Sequence, residues 1–156
     1  MGALVPDVGA PHFSFIEIPS RTPMTEYPVL EAFYAAYNAH DAAAAAALYA
    51  EDGRHDEIAM GKSRCGTAAL QDGLEGFFRM LPDVVWSPKE VIRSGDWLAV
   101  NYRMTGTFTP RPKENQSAQL SKQVAIDGLH LLKVADGKIE TTQDYWDKDV
   151  FLAQIG

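Results

Sequence analysis

The sequence predicts an α+β protein: a cone-shaped α+β barrel in which three N-terminal helices pack on a curved antiparallel or mixed sheet. Apolar residues recur at helical spacing up to Leu81, and after Pro82 the pattern changes to long strands separated by glycine turns. No internal repeat or second-domain linker interrupts this order. Helices followed by strands are typical of this class, and the space between the first helix and the sheet favours a small-molecule pocket.

Residues 1–25 precede this pattern and differ from it. They contain four prolines and no sustained period, which predicts an irregular N-terminal arm. Residues 26–156 then form one domain, long enough to bury most of its apolar surface.

Three helices are predicted in the first half of the domain. The first begins near Pro28, which is tolerated in a first turn. Asp41 is placed to N-cap a second helix over Ala42–Tyr49, and Thr67 to cap a third. The stripe of the first helix is Val29, Leu30, Phe33, Tyr34 and Tyr37, and that of the third is Leu70, Leu74, Phe77, Phe78 and Leu81.

Five strands are predicted, the first of them short, at Arg54–Met60. The long ones are Val84–Ile92, Trp97–Phe108, Lys122–Val134 and Lys138–Trp146. The polar segment Thr109–Ser121 is expected to be a loop at one rim, and Asp147–Gln154 a final turn or short helix.

Charge and composition exclude several functions. The formal net charge of −7 argues against nucleic acid or an anionic membrane as the partner, because both require a basic face. The single cysteine, Cys65, excludes an internal disulfide. No apolar run approaches the roughly 20 residues that span a bilayer, and the N-terminus does not resemble a secretion signal. We therefore expect a cytoplasmic protein.

The hairpin between the last two strands carries the main candidate site. Residues 135–137 predict a three-residue loop with Gly137 in the left-handed conformation, so that Val134 pairs with Lys138. That register places His130 opposite Thr142.

Asp144 is then the diagonal neighbour of His130 on the same face, roughly 7–8 Å away by backbone. The rest of that face is apolar: Ile126, Gly128, Leu132 and Val134. A histidine and an aspartate on one apolar surface can tune each other's pKa, as general acid–base catalysis requires. Two alternatives are a hydrogen bond that only stabilises the sheet, and a one-residue slip that sends one group to the other face.

Further candidates line the same predicted pocket. Strand alternation places His55 and Glu57 on one face, with His55 towards the pocket or in water at a sheet edge. Tyr37 should point from the helix at the sheet, as a core residue or as a hydrogen-bond donor to substrate. Tyr102 and Trp146 supply bulk for an apolar cavity, a core or a dimer interface.

Metal and covalent chemistry have little support in the sequence. The four histidines show none of the short spacings that build a zinc site, so we expect no metal. Cys65 precedes a helix, but a lone cysteine more often only packs. The second glycine of the segment around it, Gly66, is not followed by the Lys-Ser/Thr of a phosphate loop, so nucleotide binding has no support.

From Glu26 to Gly156, the chain resembles the SnoaL-like polyketide cyclases of the nuclear transport factor two-like superfamily. The segments that carry this resemblance are Ala35–Asp41, Leu48–Asp52, Leu81–Val84, Ser94–Phe108, His130–Ile139 and the closing DKDVFLAQIG. The arm, the rim loop and the cluster at residues 55–57 depart from the family pattern.

The resemblance implies an α+β barrel that closes polyketide rings by intramolecular aldol condensation without metal or cofactor. Asp144, five residues after Ile139, matches the acid–base aspartate of these cyclases, and His130 matches the assisting histidine. Tyr37 matches a helix position beside the bound polyketide, and His55 a strand position that lines the pocket.

We therefore expect a cofactor-independent acid–base enzyme acting on a hydrophobic, carbonyl-bearing small molecule, most simply a polyketide cyclase. Its catalytic residues would be Asp144 and His130. The alternatives are a non-catalytic binding or dimerisation module, or an isomerase, dehydratase or epoxide hydrolase on the same fold. A homodimer through the outer sheet face is expected, because Leu129 and Leu131 leave that face apolar.

Overall fold

The computed structural model describes residues 24, 27–112, 114 and 120–156. The predicted arm lies outside the described residues except for Met24, and so do residues 113 and 115–119 of the predicted rim loop. The helices are α1 (Pro28–Asn38), α2 (Ala42–Ala47), α3 (Thr67–Met80) and α4 (Lys148–Ile155). The strands are β1 (Tyr49–Glu57), β2 (Lys62–Cys65), β3 (Val85–Ser94), β4 (Trp97–Phe108), β5 (Lys122–Ala135) and β6 (Lys138–Trp146).

The six strands form one mixed sheet in the order β2-β1-β6-β5-β4-β3. The pair β1–β6 is parallel, and the other pairs are antiparallel. The predicted α+β class, with N-terminal helices packed on a mixed sheet, is confirmed. Within the described residues no helix is long and apolar enough to cross a membrane.

The first half of the chain departs from the predicted boundaries. Asp41 caps α2 through a hydrogen bond from the Ala44 backbone, as predicted, but the helix ends at Ala47. Tyr49 instead begins β1 and is buried, because its strand pairs with β6 inside the domain. Gly66, not Thr67, is the residue that precedes the first turn of α3.

The first strand leads into an edge strand that the sequence analysis missed. A single 3-10 turn follows β1, and Gly61 reverses the chain with φ of 61°. The predicted strand Arg54–Met60 therefore begins too late and ends too late, and β2 returns antiparallel to β1. At four residues, β2 was too short for its alternation to stand out.

Helix α1 covers the sheet face that carries the candidate site. Its buried stripe packs on strand residues through aromatic rings, with Phe33 5.3 Å from His130 and Tyr37 5.1 Å from Trp86 between ring centroids. Complete burial of one such side chain contributes about 1.5–3 kcal/mol. The buried residues of α1 are Leu30, Phe33, Tyr34, Ala36 and Tyr37.

The β5–β6 turn differs from the predicted three-residue loop. Ala135 pairs with Lys138, so only Asp136 and Gly137 form the loop. Both have positive φ, 52° and 72°, as a two-residue hairpin turn that matches strand twist requires. The left-handed conformation predicted for Gly137 is confirmed, while the predicted pairing of Val134 with Lys138 is wrong.

A bulge next to this turn moves the register by one further residue. Pairing shifts between Lys133 and Val134, so that His130 lies directly opposite Asp144 and not opposite Thr142. The shorter loop and the bulge together shift the pairing by two residues. Because side chains alternate with a period of two, the predicted common face of His130 and Asp144 is retained.

Candidate active site

A cavity of about 780 Å³ lies between the helices and the sheet. Its size falls in the range of small-molecule sites, about 300–1,000 Å³. Five of the six site residues predicted from the sequence line it: Tyr37, His55, Tyr102, Asp144 and Trp146. The sixth, His130, does not.

Asp144 presents the reactive group of this cavity. Its side chain is almost buried, and the Tyr102 hydroxyl donates to Oδ1 over 2.7 Å. The other oxygen, Oδ2, lies 3.4 Å from Nε2 of His130. Burial acts to raise the pKa of Asp144, but the imidazole of His130 and the hydrogen bond from Tyr102 outweigh it and hold the pKa below 3.8. Asp144 is therefore a carboxylate at neutral pH.

Tyr102 reaches Asp144 by lying across the strand between them. It stands on β4, pairs with Gly128 of β5 and contacts β6 only because Gly128 has no side chain. A Cβ at Gly128 would overlap the Tyr102 hydroxyl and come within 2.9 Å of Cε2. Burial, with the charge of Asp144, raises the pKa of Tyr102, so the hydroxyl remains a donor.

His130 lies behind the cavity wall. It is 1% exposed, and its ring stacks against Tyr102 at 4.4 Å between centroids, with Phe33 on another side. The expectation that both members of the pair line the cavity is therefore wrong for His130, since aromatic rings from α1 and β4 cover it. It can act on substrate only through Asp144.

The tautomer of a neutral His130 follows from Asp144, because a carboxylate only accepts and therefore favours the proton on Nε2, which leaves Nδ1 as an acceptor. The Tyr34 hydroxyl lies 2.9 Å from Nδ1. Burial, followed by the charge of Asp144, raises the pKa of Tyr34, so this hydroxyl is protonated and can donate to Nδ1. The proton of a neutral His130 is then on Nε2, which has no hydrogen-bond partner within the described residues and faces Asp144.

A second group of polar side chains lines the cavity from β1. Nδ1 of His55 is 2.7 Å from the Thr142 hydroxyl, which is also 2.8 Å from the Tyr49 hydroxyl. Nε2 of His55 is 3.7 Å from Glu57, and Glu57 accepts a hydrogen bond from the indole of Trp146. Burial raises the pKa of Tyr49 to about 12.

Glu57 is a cavity residue that our list of candidates omitted. It pairs in register with Asp144 on the neighbouring parallel strand, so two carboxylates lie side by side. Strand alternation already placed it on the face of His55, and that was the available signal. Asp56 lies on the opposite face with Arg54 and Ser63, as alternation predicts.

No group of three or more histidine, cysteine or acidic side chains that could hold a metal ion occurs in the part of the chain that the structure describes. Asp144 accepts a hydrogen bond from one phenol, Tyr102, and faces one imidazole, that of His130. Their geometry fits the positioning of a carboxylate.

Solved structures with the same fold come from several bacteria. A ketosteroid isomerase-like protein from Catenulispora acidiphila, crystallised with trimethylamine, is 22% identical, with a TM-score of 0.72 over 83% of this chain and 92% of that one. A candidate SnoaL-like polyketide cyclase from Shewanella putrefaciens is 14% identical, with a TM-score of 0.72 over 84% and 96%. TerC, crystallised with polyporic acid, is 20% identical, with a TM-score of 0.68 over 86% and 98%.

At these identities the structures show the fold alone. No curated protein matches this sequence significantly. The sequence profile of the SnoaL-like domain family, however, matches residues 30–141, most of the domain described above. The chain therefore belongs to the SnoaL-like domain family and has its ketosteroid isomerase-like α+β fold.

Proposed function

We propose that this protein is a cofactor-independent acid–base enzyme that closes a ring in a hydrophobic, carbonyl-bearing molecule by intramolecular aldol condensation, as a polyketide cyclase does. The observation that carries the proposal is the carboxyl group of Asp144, held by the Tyr102 hydroxyl on the wall of a large and mainly apolar cavity. Relatives of the same fold support it, since they include a candidate polyketide cyclase and a protein crystallised with polyporic acid.

The reaction requires one base in two steps. Asp144 takes a proton from a carbon next to a carbonyl, which leaves an enolate. The enolate carbon attacks a second carbonyl of the same molecule, forming the ring bond and an alkoxide. The proton returns from Asp144 to that alkoxide, so the product is an isomer of the substrate and Asp144 is regenerated.

A carboxylate is a weak base, and this restricts the substrate. A weak base removes a carbon-bound proton efficiently only when that carbon is already acidic. A methylene between two carbonyls meets this requirement, and a simple ketone does not. This is the repeating unit of a polyketide chain.

The surrounding side chains hold the carboxylate and the substrate. Tyr102 and His130 orient Asp144 from two sides, which reduces reorganisation when its charge changes. Tyr37 and His55 lie on the cavity wall, where they are placed to donate to substrate oxygens. His130 is a positioning residue, because it does not line the cavity.

Proton abstraction can be measured without the natural substrate. A naphthyl β-keto ester is incubated with the protein in mildly acidic D₂O, and loss of the α-proton is followed by NMR. We expect the wild type to accelerate exchange and Asp144→Asn to lose about 10²–10⁴-fold of that acceleration.

The control for this test is Asp127→Asn, which removes an exposed carboxylate outside the cavity. It should exchange at the wild-type rate. Wild-type exchange in folded Asp144→Asn would reject the assignment. Binding of the ester without accelerated exchange would favour the alternative of a non-catalytic binder.

A further inference from the structure

Arg64 lines the cavity from the edge strand β2, opposite His55 of β1. Its half-buried side chain lies on α3 at Gly73. A Cβ there would overlap Nε and Cδ of Arg64 and come within 2.8 Å of Cζ. The glycine therefore provides the space in which this guanidinium rests.

Arg64 has no charged partner in the described part of the chain. Arg54 and Arg103, by contrast, each pair with an aspartate. A guanidinium has five N–H donors in a planar fork that matches a carboxylate. A partly buried fork without a partner is thus placed to bind an anionic group of a ligand.

Two more cations, Lys62 and Arg111, also line the cavity, and we call the set Lys62, Arg64 and Arg111 the mouth. Lys62 and Arg111 are exposed, line the cavity and form no ion pair within the described residues. Asp72 is an exposed acidic side chain that also lines the cavity and likewise has no ion pair there. The three cations are thus matched in number by the three acidic side chains that line the cavity, Glu57, Asp72 and Asp144.

The other two carboxylates of the cavity already have donors. Asp144 accepts from Tyr102, and Glu57 accepts from Trp146. Neither lies within ion-pair distance of Arg64. The positive charge of the mouth is therefore available to a ligand.

The distance across the sheet fits a flat molecule of several rings. Lys62, Glu57 and Asp144 pair in succession across β2, β1 and β6. Two strand spacings, roughly 10 Å, thus separate the strand of Arg64 from that of Asp144. If Arg64 bound the carboxylate of such a molecule, the ring farthest from that carboxylate would lie at Asp144. Repulsion between the ligand carboxylate and ionised Asp144 would disfavour the orientation in which the molecule is turned round.

We propose that the mouth is a carboxylate-binding site centred on Arg64, and that the substrate is an aromatic or polycyclic carboxylic acid. This inference rests on the proposed function, because it names the substrate class of the same cavity. It concerns binding and orientation, and no bond changes at Arg64.

The test compares one acid with its neutral ester. Anthraquinone-2-carboxylate and its methyl ester are titrated into wild type and variants by calorimetry. The wild type should prefer the acid, and Arg64→Gln should weaken acid binding by roughly tenfold or more while leaving the ester unchanged. The acid preference of the wild type should also fall with added salt, because the mouth is partly exposed.

Two matched controls accompany this variant. Arg79→Gln removes the same charge from an exposed position of α3 that does not line the cavity, and it should leave acid binding unchanged. Gly73→Ala keeps every charge but displaces the guanidinium, so it should weaken the acid selectively. Gly76→Ala also adds a methyl group to the cavity wall but does not displace Arg64, so any effect should be the same for the acid and the ester.

The proposal is overturned if wild type binds the acid no more tightly than the ester, or binds neither. It is also overturned if Arg64→Gln weakens both probes equally or Arg79→Gln matches its effect. The measurement involves no turnover. A lost acid preference would therefore refute the mouth even if Asp144 is catalytic, and a retained preference would stand even if proton exchange does not depend on Asp144.

Discussion

The surroundings of Asp144, which we call the centre of the cavity, differ from the mouth in how polar groups are partnered. At the centre, Asp144 is almost buried and faces the Tyr102 hydroxyl and the His130 imidazole. At the mouth, Arg64 is half-buried and without a charged partner in the described chain. In both places a glycine leaves room for the larger side chain, Gly128 for Tyr102 and Gly73 for Arg64.

This difference separates two tasks. A group that exchanges a proton gains from neighbours that fix its orientation and charge before substrate arrives. A group that selects a ligand must keep its hydrogen-bonding capacity unused until the ligand arrives. The centre has the first property and the mouth the second, which supports a division into a reacting end and an anchoring end.

The largest expected effect is a difference in folding stability between alanine variants of the two glycines. Gly128→Ala forces the buried Tyr102 ring away from Asp144, so we expect a loss of about 3 kcal/mol from strain and the lost hydrogen bond together. Gly73→Ala displaces only a partly exposed, flexible arginine, and the gain in helix propensity is up to about 1 kcal/mol. Urea unfolding of both variants measures the difference. Equal losses would contradict the comparison.

A smaller effect is expected from removing one hydroxyl at the centre. Tyr102→Phe leaves Oδ1 of buried Asp144 without its donor, which should cost about 2 kcal/mol and raise the pKa of Asp144. The control is Tyr145→Phe, which removes an exposed hydroxyl bonded to Gln143 and should change stability by less than about 0.5 kcal/mol. Denaturant unfolding gives the stability, and NMR titration gives the pKa. An unchanged pKa in Tyr102→Phe would show that the hydrogen bond does not hold the charge.

The smallest effect concerns pH. The fold lowers the pKa of Asp144 below 3.8, so the ionised form contributes stability that is fully present above the unfolded pKa and is lost as pH falls through the folded pKa. The stability advantage of wild type over Asp144→Asn that comes from this charge should therefore shrink as the pH falls below about 4. Unfolding free energies measured across this range test it. A difference that does not change below about pH 4 would contradict a lowered pKa of Asp144.

Much of the fold and part of the site followed from local patterns. The change from helical to strand spacing identified the class, and Asp41 and Gly137 were recognised from capping and turn chemistry. Alternation placed His130 and Asp144 on one face, and that held although the predicted register was wrong by two residues. A register error of two residues leaves each side chain on the correct face of the sheet, but it gives the wrong distance between side chains on neighbouring strands.

The contacts within the site depend on packing between residues that are distant in the sequence, and local sequence patterns do not predict such packing. Tyr102 lies over Gly128 because β4 pairs with β5, which brings together residues more than 20 positions apart in the chain. The contact of Tyr102 with Asp144 depends on a third strand, β6. The burial of His130 depends on rings from α1, and the neighbours of Arg64 depend on a four-residue edge strand with no visible period.

The sequence by itself determined the class of fold and the side of each strand that the polar groups occupy. It could do so because periodicity and turn residues act over a few neighbouring positions. Tertiary structure decided which of these groups touch, which one meets the cavity and which cations stay unpaired. Those outcomes depend on how side chains from distant segments fill the same space, and no local pattern encodes that.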